Sequence, residues 1–141
     1  MALAAPAARI DAGLLVLRLT LGAIMLFHGI AKVTHGVAWM SGPLGAAGLP
    51  SALAYGAYVG EVVAPLLLIF GVWPRAAALV IAFDMFMAIV LARHGDVGKI
   101  NPMSGGWAIE LEALLFFVAL AIALTGAGRF RLTRPRAGRL S

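Results

Sequence analysis

Seven ionisable side chains interrupt stretches that are otherwise apolar: Arg18, His28, Lys32, Glu61, Asp84, Glu110 and Glu112. Carboxylates, an imidazole and an ammonium can exchange protons, hydrogen-bond a ligand, or pair with one another. Placing a charge at the centre of a bilayer costs about 2.5–3.5 kcal/mol on insertion scales. Four of the chain's six acids nevertheless lie in these segments. Groups kept in oil at that cost must face one another or be used.

The elements that carry them are helices. Of 141 residues, 62% are hydrophobic and 12% charged, and mean hydropathy is +0.99. Crossing a hydrocarbon layer of roughly 30 Å takes about 20 apolar residues at a rise of about 1.5 Å each. Four segments meet that length, at about 13–33, 52–72, 76–93 and 107–126. In lipid every backbone amide must be satisfied within its own segment or in a closed barrel, and nothing here alternates with period two. The expectation is an all-α integral membrane four-helix bundle. Gly- and Pro-rich connections separate the segments, and Trp73-Pro74-Arg75 makes a tight turn that forces the second and third helices to be antiparallel neighbours.

The charge balance is +5. Arg129, Arg131, Arg134, Arg136 and Arg139 crowd the tail at 127–141. A basic tail on an apolar body meets anionic lipid headgroups, and nucleic acid is not an expected partner. Arg9, Arg75 and the tail arginines fall on one side, Lys32, Arg93 and Lys99 on or near the other. The positive-inside rule then predicts a multi-pass protein of the cell inner membrane with both termini cytoplasmic. The first apolar run is too long for a signal-peptide core and is interrupted by Arg18, so it reads as a retained helix. With no cysteine in the chain, disulfides and iron–sulfur ligation are excluded.

Counting from the segment ends puts Glu61 and Asp84 near the midplane, His28 and Lys32 in the outer part of the first helix, and Arg18 near its inner end. Arg18, His28 and Lys32 share an arc of about 80° at about 100° per residue, along with Gly22, Met25 and Gly29. Ala54, Ala57 and Ala64 lie on the Glu61 face, and Ala77 and Ala88 flank Asp84. Small residues let membrane helices approach closely, so these polar faces point into the bundle. Glu110 and Glu112 are about 200° apart; Glu112 lies above Ala119, Ala123 and Gly126 and is the one expected to face inward. Pro65 removes the amide that would bond the Glu61 carbonyl, predicting a polar notch at that depth.

Each group also has a plain structural explanation. Arg18 fits a snorkelling anchor or a partner for an acid, and Asp84 fits a buried counter-ion of Arg18 or Lys32. Lys32, Arg93 and Lys99 fit interface anchors, and Trp39, Trp73 and Trp107 fit an aromatic belt. His28 fits an interhelical hydrogen bond as well as a proton carrier. Haem between His28 and His94, or a metal on His28, Glu61 and Glu112, finds no spacing that singles it out, and no metal is assigned. His35 reads as a loop residue without signal.

Leu17-Arg18-Leu19-Thr20-Leu21-Gly22, Phe27-His28-Gly29-Ile30-Ala31-Lys32, Gly48-Leu49-Pro50 and Gly60-Glu61 stand in a telling order. They are followed by Pro74-Arg75-Ala76-Ala77-Ala78-Leu79, Ile109-Glu110-Leu111 and Thr125-Gly126-Ala127-Gly128-Arg129-Phe130. In that order and spacing the chain resembles the DoxX family of small four-helix membrane proteins, over about residues 12–132 and as a single domain. The family is similar to a subunit of an archaeal thiosulfate:quinone oxidoreductase. The resemblance implies Arg18, His28, Lys32, Glu61 and Glu110 as recurring polar positions, preferring Glu110 where the small-residue face prefers Glu112.

The reading that follows is a redox-associated accessory subunit holding a quinone or similar lipophilic molecule in the outer half of the bundle. His28 and Glu61 would bond its headgroup and exchange its protons, with Arg18 and Lys32 balancing the buried carboxylates. No cofactor motif is visible in the sequence, so a protein partner would supply the electrons. Two alternatives stand beside it: a proton-coupled transporter using Glu61 and Asp84, and a non-catalytic scaffold for a soluble enzyme.

Overall fold

A computed structural model describes residues 4–132; Arg134, Arg136 and Arg139 of the basic tail lie outside them. The first helix, Ala4–His35, has 32 residues, about 48 Å at the α-helical rise and longer than the hydrocarbon layer. It starts well before 13 because the alanine-rich lead-in is a good helix former that hydropathy alone does not count. It also runs two residues past 33, which brings His35 into the helix. The second helical stretch is Ser51–Phe70 and the third helix Pro74–Ala92, both long and apolar enough to cross a membrane. The fourth, Glu110–Thr125, is a 16-residue helix. It begins later than 107 because Trp107 is held in the preceding connection, bridged to Ile100 and donating its indole N–H to the Val97 carbonyl at 2.6 Å. Among the described residues that isolated bridge is the only β-structure. The chain is an all-α integral membrane four-helix bundle.

The first helix packs on the second, and the third on the fourth. Leu21, Met25, Leu68, Ile81, Leu115 and Ile122 form the core between them. Phe27, Phe83, Leu114, Phe117 and Leu124 are exposed on the outside, the apolar jacket that a bundle in lipid presents to its solvent. Both described ends of the chain meet at one end of the bundle: the Arg129 amide donates to Asp11 Oδ1 at 3.0 Å, and the Leu132 amide to the Phe70 carbonyl at 3.3 Å.

At that end the second helix closes on Gly71 in the left-handed region (φ 68°), with the Val72 amide reaching the Leu67 carbonyl at 2.8 Å. Trp73, also at positive φ (44°), turns the chain into Pro74 at the start of the third helix. The opposite, loop end is less open than its Gly/Pro content suggests. Residues Ala38–Met40 and Ser41–Ala46 coil into two short helices. Val37 and Leu44 from this connection pack against Ala54, Tyr58 and Leu91, forming a lid.

Glycines set how close the first and second helices come. A Cβ at Gly22 would sit 2.5 Å from Ile69 and 3.2 Å from the Pro65 carbonyl oxygen. One at Gly29 would fall on the Glu61 carbonyl oxygen itself. A backbone carbonyl cannot rotate away as a side chain can. Gly29→Ala therefore forces the helices apart and is expected to cost about 1–3 kcal/mol, read as a lowered Tm in mild detergent. An unchanged Tm would mean that the close approach contributes nothing.

Candidate functional site

The second helix changes pitch where its carboxylate lies. Proline has no N–H and its ring crowds the carbonyl four residues back, here that of Glu61. The chain answers with a π-helical turn, Val59–Val63, in which the Ala64 amide bonds the Val59 carbonyl five residues back. Such wide turns are frequent at functional sites. The notch expected from Pro65 thus takes the form of a widened turn, and Gly29 of the first helix fills it from the side.

This turn carries Glu61 inward to 3% exposure. Lys32 Nζ donates to Glu61 Oε1, and the Tyr58 hydroxyl donates to the Lys32 carbonyl at 3.2 Å, pinning the two helices around the ion pair. Glu61 Oε2 is buried without a partner. The pair borders a cavity of about 410 Å³ lined by residues from all four helices, a size typical of small-molecule sites. His28, Lys32 and Glu61 converge there, as do Arg93 and Glu112, among Met85, Leu111 and Leu115. His28, Ala31 and His35 line it from exposed positions of the first helix, so the cavity is open to the outside of the bundle there.

Glu112, rather than Glu110, faces the cavity. It pairs with Arg93 Nε at 3.6 Å, while Glu110 is exposed and rests against Gly106. The small residues below Glu112 on the fourth helix thus mark the acid that faces inward. Arg93 also donates to the Ala108 carbonyl at 2.5 Å and pairs with Asp96 at 3.4 Å. A hydrogen bond from Lys99 and its charge hold the Asp96 carboxyl below the usual carboxylate range. Asp84 lies behind the Lys32–Glu61 pair, within electrostatic reach of both; Lys32 is its neighbouring cation.

Arg18 is a correction to the sequence reading. It is 2% exposed but, among the described residues, pairs with no acid. Its Nη1 donates to the Ala127 carbonyl at 3.1 Å, and its Nη2 to the Ile69 carbonyl at 3.3 Å. Those bonds clamp the terminal end of the bundle, away from the cavity that holds Glu61. Arg18 neither balances the buried carboxylates nor snorkels outward. Conversely, Arg93, His35 and Trp39, which by residue type and position suggest an anchor, a loop residue and a belt residue, line the cavity. The signal for His35 was its spacing, seven residues after His28 and three after Lys32 on one helical stripe. Among the described residues no three His, Asp or Glu side chains converge as a metal centre would need.

Fold and cavity together define a small multi-pass membrane bundle built around a buried ion pair. The DoxX family model matches residues 13–94, and the chain belongs to the DoxX family. Over 113 residues it is 32% identical to a Haemophilus influenzae protein named "Uncharacterized protein", covering 79% of this chain and 81% of the relative. Over 125 residues it is 30% identical to the Bacillus subtilis protein named "Putative oxidoreductase CatD", covering 89% and 87%. No solved structure matches the chain.

Proposed function

We propose that this protein is a quinone-binding accessory subunit of a membrane oxidoreductase system, seated in the inner membrane with both termini cytoplasmic. The observation that carries the reading is the convergence of His28, Lys32 and Glu61 on an open cavity of about 410 Å³ at the loop end. A quinone headgroup needs hydrogen-bond donors at its oxygens and apolar walls around its ring. The His28 imidazole and the Lys32 ammonium are such donors, and Met85, Leu111 and Leu115 supply the walls. When bound, a quinone accepts electrons and protons together. The residues' part is to hold it, to exclude water on the Leu115 side and to keep an exchangeable proton near Glu61. The name of the Bacillus relative supports an oxidoreductase setting. A chain without cysteine holds no iron–sulfur cluster, so a protein partner supplies the electrons. Arg9, Arg75, Arg129 and Arg131 stand at or near the end where the two described ends of the chain meet, which supports the orientation.

The test is mass spectrometry of lipid extracts from gently purified protein. Wild type is expected to retain quinone. His28→Ala is expected to lower retention about ten-fold, the equivalent of about 1.4 kcal/mol for one lost hydrogen bond. Ala31→Trp, which fills the cavity from an exposed position of the first helix, is expected to abolish retention with Tm unchanged. Wild type free of quinone after purification and after reconstitution with it would end this reading.

A further inference from the structure

Beside the main cavity lies a second, smaller chamber of about 70 Å³, with room for more than one water molecule. Lys32 and Glu61 stand in the wall common to both chambers. Asp84 lines only the small one, and Trp39, Met40, Pro43 and Leu44 of the first connection roof it. Asp84 reaches this position because residue 60 is glycine: a Cβ there would sit 2.5 Å from Asp84 Cγ and 2.7 Å from its Oδ1. Asp84 and Glu61 thus face the same small chamber, across the glycine at 60.

The charges around this chamber do not balance. Glu61 from the second helix pairs with the Lys32 ammonium from the first, and Asp84 from the third lines the same chamber with that ammonium as its nearby cation. On the main-cavity side, His28 of the first helix faces the ligand space, and Glu112 of the fourth is engaged with Arg93 of the third. Fully ionised, the three central groups would leave a net negative charge among hydrocarbon, which is costly. Glu61 Oε2 and Asp84 Oδ2 are also both buried without a partner. Two acceptor-only oxygens cannot satisfy each other, but one proton between two carboxyls makes one of them a donor and removes the excess charge.

We propose that Asp84 and Glu61 hold a single proton between them, and that Asp84 exchanges it with water in the small chamber. The pair is a proton store, separated from the ligand cavity by the Lys32–Glu61 bridge. Its use for ligand reduction rests on the quinone reading; the store itself does not. In that use the pair would give its proton to a quinone oxygen as a redox cofactor of the partner protein supplied the electrons. Lys32 would offset the vacated carboxylate, and water in the small chamber would return a proton for the second transfer.

Infrared spectroscopy of the full chain in lipid nanodiscs tests this without any ligand. The expected result is a deuterium-sensitive carboxylic-acid C=O band at neutral pH, with the intensity of a single carboxyl per chain. Asp84→Asn, which keeps the shape and offers Glu61 a donor, removes it; Glu110→Gln leaves it. Carbon-13 labelling of carboxyls by residue type assigns the band in unmutated protein, so the test survives a variant that does not assemble. No band at neutral pH, or one indifferent to Asp84→Asn and to the labels, overturns the proposal. So does a band that emerges only when sodium is withheld, which would place a metal cation between the same oxygens. Loss of quinone binding with the band intact would sink the cavity reading alone, and the reverse would sink the proton store alone.

Discussion

Lys32→Met destabilises the bundle by about 3–5 kcal/mol, the range measured when one member of a buried ion pair is removed. The size of the effect follows from what is left behind. Glu61 is 3% exposed, and its Oε2 already lacks a hydrogen-bond partner. Without the Lys32 ammonium its charged form has no compensation, and the π-turn holding it cannot swing it into water. Methionine keeps the length and the apolar stem of lysine, so cavity formation adds little. Lys32→Met/Glu61→Met should recover most of the loss, because replacing a whole buried pair by apolar groups of similar volume is close to neutral. The check is reversible unfolding of the single and double variants in mild detergent. A loss below about 1 kcal/mol, the range of exposed pairs, would show that water reaches the pair freely.

The parts of this architecture that lipid enforces were legible in the sequence. Apolar runs of membrane-spanning length without two-residue alternation have one backbone solution, so the helices were readable without any tertiary information. The midplane depth of Glu61 followed from counting, and the packed face of the first helix from Gly22, Met25 and Gly29 sharing one stripe. Ala119 and Gly126 likewise pointed Glu112 inward. Other features left no local mark. Pro65 announced a fault in the second helix, but its form depends on the Gly29 backbone coming to meet the Glu61 carbonyl. The residues of the lid read as a loop because Gly42, Pro43, Gly45 and Gly48 are turn formers. Their short helices exist because Val37 and Leu44 find Ala54 and Leu91 to cover. Arg93 looked like an anchor because its partners, Glu112 and the Ala108 carbonyl, are brought to it by the third connection. Backbone acceptors carry no residue-type signature, so the role of Arg18 could not be read at all.

That role sets the second large expectation. Arg18→Leu costs about 3–5 kcal/mol, since each charge-assisted hydrogen bond to a buried carbonyl is worth about 1.5–3 kcal/mol. The Ile69 and Ala127 carbonyls lose their donor together, one near the end of the second helix and one just beyond the fourth. Arg18→Lys should recover only part, because a point-like ammonium does not present the planar fork that spans both acceptors. The same variants separate a clamp from a counter-ion. If Arg18 compensated Glu61, adding Glu61→Gln to Arg18→Leu would restore stability, as removing Glu61 should restore Lys32→Met. A clamp predicts simple additivity for Arg18→Leu and Glu61→Gln, as expected of sites that share no partner. It also predicts that hydrogen exchange in Arg18→Leu quickens first at the ends of the second and fourth helices, while the amides around Lys32 and Glu61 stay protected. Non-additivity of more than about 0.5 kcal/mol in unfolding free energy would return Arg18 to the charge balance of the cavity and remove it from the frame that holds the helix ends together.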